Sequence, residues 1–281
     1  TQSAITVNPA AAATLTVSGI TDPVTAGTAS NVTVTAKDQY GNTATGYTGI
    51  VTFTSDDGQA VLPANYTFLA GDNGVKTFTS GVTMKTVGEK TVTATDTVTG
   101  SINGTQSAIT VTPAAADHFT VTSATATPAA GTAFNVTLTA RDQFGNIATG
   151  YSAAAKTFTL SGPGNAPGGT VPSYGTNASI VAAFVNGVAT IPITLYKAET
   201  VSLDVSDGTL DSAASAAYDA DLTVGPAPAT KLIYTQQPSA LGVALVALPV
   251  QPVVQIQDQY NNLCATGADA TLTVTLTAVN A

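Results

Sequence analysis

The fold is decided by the stretch NVTVTAKDQYGN, which occupies residues 31–42. Within it Val32, Val34 and Ala36 alternate with polar residues, and an Asp-Gln-Tyr-Gly-Asn sequence follows at once. Alternation with a period of two predicts a strand with one buried side and one side facing water. Glycine together with Asp and Asn side chains is typical of a turn. The stretch therefore predicts a strand that ends in a tight turn.

The turn sequence occurs three times along the chain. Its copies are Asp38–Asn42, Asp142–Asn146 and Asp258–Asn262, separated by 104 and then by 116 residues. Residues 1–7 likewise return unchanged as residues 105–111. Recurrence at a nearly fixed spacing predicts a repeat architecture. The second repeat is longer by about twelve residues, which we assign to an extended Gly/Pro-rich loop at 162–177.

Short junctions that contain proline and alanine divide the repeats near residues 12, 116 and 228. We predict the last strand of a preceding repeat at 1–11, repeat 1 at 12–115, repeat 2 at 116–227, and the N-terminal part of an incomplete repeat 3 at 228–281. Proline-containing linkers are extended and stiff, unlike Gly/Ser linkers. The sequence therefore predicts a semi-rigid rod.

The pattern inside each repeat indicates the fold class. About seven short apolar-polar segments fall in about 100 residues, with Gly, Asn or Asp between them and no helical period, which is typical of a Greek-key sandwich. We predict an all-β protein made of tandem immunoglobulin-like Greek-key β-sandwiches in a linear array.

The composition excludes several classes of protein. Only 9% of the residues are charged, and the net charge is −9. An acidic surface repels the phosphates of nucleic acid, so we expect no nucleic-acid partner. The longest apolar run, 240–250, is shorter than the ~20 residues that cross a bilayer, so we expect no membrane span in this segment. The single cysteine, Cys264, is interpreted as a small apolar residue near a loop, with an intermolecular disulfide as the alternative.

The repeats resemble the bacterial Ig-like domains of invasin- and intimin-type adhesins and of large repetitive surface proteins. The resemblance rests on Ala26-Gly27, the turn at 38–42, Asp72-Asn73-Gly74-Val75, and the pair Val92 and Ala94. It implies an extracellular protein of the cell surface or of a secreted appendage, with repeats that hold a binding tip away from the cell.

The turn sequence has two interpretations. A carboxylate, an amide and an aromatic ring could form a ligand site. The same residues could instead stabilise the turn, with Gly41 supplying a positive φ. We favour the structural interpretation, because a feature needed to fold every repeat must occur in every repeat.

Metal binding and catalysis find little support in the sequence. The weak candidates for calcium ligands are Asp204, Asp207, Asp219 and Asp221. They lack calcium-loop spacing, so a solvated acidic rim is the favoured interpretation. The only histidine, His118, opens a predicted strand and is interpreted as an edge residue. We therefore expect no cofactor, no catalytic residue and no enzyme activity, with calcium as the alternative.

One apolar segment of repeat 3 is a candidate assembly interface. An uninterrupted apolar run at 240–250 replaces the small or polar loops of the other repeats. Exposed apolar patches usually mark interaction surfaces, although the run could also fold back as an extra strand. The candidate residues are Leu241, Val243, Leu245, Val246 and Leu248.

Two functions remain open at this point. The first is a structural, non-catalytic extracellular protein that forms a stalk or filament on the bacterial surface, with neighbouring repeats or other copies of itself as partners. The second is an adhesin module that binds surface glycans or another host or cell-surface ligand. The absence of tryptophan, a common sugar platform, favours the first.

Overall fold

The computed structural model describes residues 4–152, 156–174, 179–243, 246–265, 268–275 and 277. The chain forms two compact units. Unit 1 comprises Thr1–Ala115 with Arg141–Gly150, and unit 2 comprises Ala116–Ala140 with Tyr151–Ala281. The second copy of the turn thus belongs to unit 1, although by sequence it lies inside the predicted repeat 2.

Eight strands and one 3₁₀ turn form the described part of unit 1 up to residue 115. The strands are β1 Ala12–Ser18, β2 Val24–Thr25, β3 Ala29–Asp38, β4 Ile50–Ser55, β5 Tyr66–Thr67, β6 Val75–Thr83, β7 Gly88–Asp96 and β8 Asn103–Thr112, and the 3₁₀ turn is Ala70–Asp72.

These strands make two sheets in immunoglobulin order. One sheet runs β1-β3-β6 and the other β2-β8-β7-β4-β5. Strand β2 lies parallel to β8, and the other pairs are antiparallel. In immunoglobulin terms the first sheet holds strands A, B and E, and the second holds C, F and G. Unit 1 is therefore an Ig-like β-sandwich.

Alternation along the strands builds the core of unit 1. Val32, Val34 and Ala36 of β3 are fully buried, as the sequence predicts. Leu15 of β1 pairs with Ala36, so apolar side chains meet across the sheet on its inner side. The threonines between them face outward; Thr33 and Thr77, for example, share a hydroxyl hydrogen bond of 2.8 Å.

Unit 2 repeats this arrangement. Its strands are β9 His118–Ser123, β10 Ala133–Arg141, β11 Lys156–Ser161, β12 Ser179–Ala182, β13 Val188–Thr194, β14 Thr200–Ser206, β15 Ala220–Thr223, β16 Ala229–Gln236 and β17 Val253–Asp258, with a 3₁₀ turn at Ala268–Thr271.

The sheet orders β13-β10-β9 and β12-β11-β14-β15 match those of unit 1, and β16-β17 is a separate pair. A parallel bridge between Ala129 and Gly225 corresponds to the β2–β8 pair. The all-β, Ig-like prediction is thus confirmed. In the part of the chain that the structure describes, no helix is long and apolar enough to cross a membrane.

Three local features differ from the sequence predictions. Residues 4–11 lie outside the strands, although a strand was expected within 1–11. The matching residues 105–111 pair with β7, and a strand needs such a backbone partner. His118 begins β9, an outer strand of its sheet, as expected, but its side chain is buried, and its ring stacks on Tyr218 with centroids 4.0 Å apart. The sequence also predicts a third strand of repeat 3 near 274–279, and the described residues 274, 275 and 277 lie outside strands.

Candidate functional site: a repeated docking turn

The turn that follows β3 is organised by one carboxylate. Oδ1 of Asp38 accepts hydrogen bonds from the backbone N–H groups of Tyr40 and Asn42, both at 2.9 Å. The side-chain amide of Asn42 donates back to Asp38 Oδ2 at 3.0 Å. Gly41 adopts φ of 84°, a left-handed conformation that suits glycine. These bonds hold the aromatic residue and the asparagine in fixed directions.

The other two copies fold in the same way. Asp142 accepts the N–H of Phe144 at 3.0 Å and that of Asn146 at 2.9 Å. Asp258 accepts the corresponding groups of Tyr260 and Asn262 at 2.8 and 2.9 Å. Asn261 replaces the glycine of the other copies and keeps the left-handed conformation, with φ of 70°. Asparagine tolerates that region better than most residues, so the substitution leaves the turn unchanged.

The second carboxylate oxygen fixes the junction that leads into each repeat. Oδ2 accepts the backbone N–H of Ala10 for Asp38, of Ala114 for Asp142 and of Ala227 for Asp258, at 3.0, 3.0 and 2.9 Å. Burial raises the pKa of Asp38, but hydrogen bonds from Asn42, Ala10 and Tyr40 outweigh it and hold the pKa below its ordinary value. Each Asp therefore ties its junction to its turn through one side chain.

In unit 1 the second copy packs against the loops beside β2 and β7. The Phe144 ring lies on Gly27, so close that a methyl group added to Gly27 would stand 2.5 Å from Cζ of the ring. The carbonyl of Phe144 accepts a hydrogen bond from the side chain of Gln59 at 3.4 Å. Gly27 has φ of 81° and no side chain, so it provides a flat surface for the ring.

Asn146 makes the polar half of this contact. Its Oδ1 accepts the N–H of Val87 at 3.1 Å, and its Nδ2 donates to the carbonyl of Lys85 at 2.7 Å. An amide side chain that bonds a backbone N–H and a backbone C=O two residues apart imitates the edge of a strand. The amide of Asn146 therefore recognises backbone rather than side chains.

Unit 2 contains the same contact, made by the third copy. Oδ1 of Asn262 accepts the N–H of Ala198 at 2.8 Å, and its Nδ2 donates to the carbonyl of Tyr196 at 2.8 Å. The Tyr260 ring lies on Gly131, which corresponds to Gly27, and its centroid is 5.0 Å from that of Tyr196.

The carbonyl of Tyr260 accepts the N–H of Gly168, at 2.9 Å, from the loop predicted to be inserted at 162–177. In unit 1 the side chain of Gln59 has the same role toward Phe144. The aromatic carbonyl is thus satisfied in both units, although by different segments.

We call the five-residue element at 38–42, 142–146 and 258–262 the docking turn, and the glycine with its facing N–H and C=O groups the acceptor. The turn is predicted from the sequence, but its docking role is not. Two sequence features could have indicated this role. The third residue of the turn is aromatic in all three copies, and in the first two copies a glycine lies 11 positions before the Asp.

The predicted metal candidates do not converge on a common point. Asp207 accepts hydrogen bonds from Tyr151 Oη at 2.6 Å, from Lys156 Nζ and from two backbone N–H groups. Burial raises the pKa of Asp207, but these bonds outweigh it and hold the pKa below its ordinary value. Asp221 accepts a hydrogen bond from Ser202.

Asp204 and Asp219 form a separate pair. Burial, followed by the hydrogen bond and charge of Asp219, raises the pKa of Asp204. Among the described residues, no group of three or more His, Cys, Asp or Glu side chains could hold a metal ion.

The described residues of the candidate assembly interface are largely exposed. Leu241, Val243 and Val246 are 85%, 72% and 61% exposed, whereas Leu248 is half-buried, and all four lie outside strands. Leu245 falls outside the described residues.

Cys264 is buried at the position that Ala44 and Ala148 occupy after the other two docking turns. Its thiol lies 3.7 Å from the carbonyl of Ala227. It thus sits where the other repeats place a small apolar side chain.

No protein-family model and no curated protein sequence matches the chain. Among solved structures it is similar to FdeC, an adhesin of Escherichia coli, with 18% identity over 92% of this chain and 77% of that chain and a TM-score of 0.38. It is also similar to InvD of Yersinia pseudotuberculosis, with 18% identity, coverage of 89% and 71%, and a TM-score of 0.36. Domains 5–6 of the S-layer protein SbsC give 21% identity, coverage of 77% and 98%, and a TM-score of 0.27.

Proposed function

We propose that the chain is a structural, non-catalytic segment of an extracellular bacterial surface protein, in which each docking turn fixes its own Ig-like repeat to the repeat before it. The observation that carries this proposal is that the docking contact is made twice, by Phe144 and Asn146 in unit 1 and by Tyr260 and Asn262 in unit 2. A stalk or filament needs such a joint at every junction.

The chemistry of the contact suits a permanent joint. Asn262 is 2% exposed, so its amide bonds lie away from competing water. Breaking one partner of a buried hydrogen bond costs about 1–3 kcal/mol, because the other group loses its partner without regaining water. The Asp that organises the turn also accepts a hydrogen bond from the proline-containing junction. One side chain therefore holds both the turn and the segment that leads into the repeat.

The experiment compares two asparagines that make the same bonds inside their turns. Asn42→Ala removes the bonds to Asp38, whereas Asn146→Ala removes the equivalent bonds to Asp142 and also those to Lys85 and Val87. We expect Asn146→Ala to lower the free energy of unfolding by about 1 kcal/mol more than Asn42→Ala. Two further hydrogen bonds are lost, each with a typical net contribution of about 0.5–1.5 kcal/mol, and the one to Val87 is exposed to water. Urea denaturation of the full chain measures the difference.

Asn262→Ala serves as a second docking variant and should behave like Asn146→Ala, since it loses the bonds to Tyr196 and Ala198. Equal destabilisation by all three substitutions would contradict the proposal, because the asparagines would then act only within their own turns.

A further inference from the structure

The first docking turn differs from the other two in what covers it. Tyr40 is 76% exposed, whereas Phe144 and Tyr260 are half-buried. Asn42 is exposed, while Asn262 is 2% exposed. The first copy therefore presents to solvent the two groups that the other copies use for docking.

The exposure of Tyr40 and Asn42 does not arise from a different conformation. The bonds from Asp38 to the turn match those of the other copies, and Gly41 has nearly the same φ as Gly145, 84° against 85°. The N–H of Ala10 bonds Asp38 at 3.0 Å, as Ala114 bonds Asp142. The turn and the junction are thus already arranged as they are where docking occurs.

We infer that the turn at 38–42 is a docking surface for another Ig-like repeat of the same kind, joined ahead of residue 1, whose acceptor receives Tyr40 and Asn42. The inference rests on the proposed function and extends it to a partner. The partner must offer a glycine without a side chain under the tyrosine ring, and a backbone C=O and N–H two residues apart for the amide. Gly27, Lys85 and Val87 form such an acceptor in this chain.

The sequence identity at the two junctions supports a covalently joined partner. Residues 1–7 are identical to 105–111, which lie within β8 and complete the sandwich of unit 1. A copy of residues 1–104 placed ahead of Thr1 would therefore find the end of its last strand already present in the chain. In the extended chain, the turn at 38–42 would follow the Gly27 of the added copy by the same number of residues as the turn at 142–146 follows Gly27 in the original chain.

The experiment uses this extended chain, with residues 1–104 added in front of the full sequence. The added copy carries Tyr40→Phe, so that nitration of the original Tyr40 by tetranitromethane is read unambiguously by mass spectrometry. In the original 281-residue chain we expect rapid nitration of Tyr40 and slow nitration of the docked Tyr260. In the extended chain we expect nitration of Tyr40 to fall to the level of Tyr260, and Asn42→Ala to restore part of it.

A second extended chain keeps the test decisive if the first added copy folds poorly. In it residues 116–227 precede residue 11, so that Ala227 takes the place of Ala10 and the acceptor is supplied by Gly131, Tyr196 and Ala198. Rapid nitration of Tyr40 beside a folded added copy, or failure of both added copies to fold, would overturn the inference. If Tyr260 reacts as fast as Tyr40 in the original chain, the result contradicts the docking contact of unit 2, and with it the proposed function and the inference that rests on it. Protection of Tyr40 by oligosaccharides in the original chain would instead assign the surface to glycan binding and also overturn the inference.

Discussion

At the scale of single residues, the left-handed position of the docking turn controls how the aromatic side chain is presented. Gly41 and Gly145 have φ of 84° and 85°, and no atom lies within 4 Å of a Cβ placed on either. A substitution there is therefore opposed by backbone conformation and not by a steric clash. Glycine at this position of the turn predicts a positive φ, and the structure confirms it.

Gly41→Ala is accordingly expected to destabilise unit 1 by about 1 kcal/mol, because an L-residue pays for the left-handed conformation. Gly46→Ala is the matched control: Gly46 also has open space around its Cβ and lacks the positive φ. Thermal unfolding of the two variants measures the difference. Equal melting temperatures would show that the turn relaxes to a conformation that alanine accepts.

Other residue roles could not be predicted from sequence. The stacking of His118 on Tyr218 joins residues 100 positions apart, and no local pattern predicts which side chains meet at that distance. The same limit hid the pairing of Phe144 with Gly27. Strand alternation, by contrast, is a local property, and it placed Val32, Val34 and Ala36 in the core correctly.

At the scale of elements, β3 lies between the acceptor glycine and the docking turn of repeat 1. Gly27 lies two residues before the first residue of β3, and the docking turn begins at its last residue, Asp38. A ten-residue strand spans about 33 Å at about 3.3 Å per residue. One strand therefore separates the acceptor from the docking turn within repeat 1. The strand and both flanking motifs are predicted from the sequence. That the glycine of one repeat fits the turn of the next repeat is seen only in the structure.

The apolar segment at 240–250, in which the described residues Leu241, Val243 and Val246 are exposed, remains a predicted contact between copies of this chain. We expect Leu241→Asp with Val243→Asp to reduce self-association in sedimentation, because both side chains are exposed and a charge opposes their burial. Val98→Asp, at a valine that is 86% exposed in unit 1, is the control and should leave self-association unchanged. An unchanged sedimentation profile for the double variant would contradict the assembly role.

At the scale of the whole molecule, stability depends on aspartates that the fold holds as carboxylates. Burial raises the pKa of Asp38, Asp57, Asp96 and Asp207, but hydrogen bonds from backbone and side-chain donors outweigh it and lower each pKa below its ordinary value. A lowered folded-state pKa stabilises the protein above the unfolded-state pKa, and this contribution is lost as pH falls through the folded-state value.

We therefore expect the melting temperature to fall progressively as the pH drops below about 4, near the pKa of an unfolded aspartate. Asp204 acts in the opposite sense, because burial, the hydrogen bond with Asp219 and the charges of Asp219 and Asp211 raise its pKa. Asp204→Asn should accordingly raise the melting temperature at pH 7 and have less effect at low pH. A melting temperature independent of pH between 2 and 6 would contradict the assignment of these carboxylates.

The placement of an acceptor and a docking turn on every complete repeat has a consequence for the gene. Duplication or deletion of one whole repeat brings or removes a matched pair of surfaces, so the remaining neighbours still fit each other. The number of repeats in such a polypeptide can therefore change without any compensating substitution at the joints. Residues 1–7 and 105–111 are identical, so the segments that lead into repeats 1 and 2 already share one sequence.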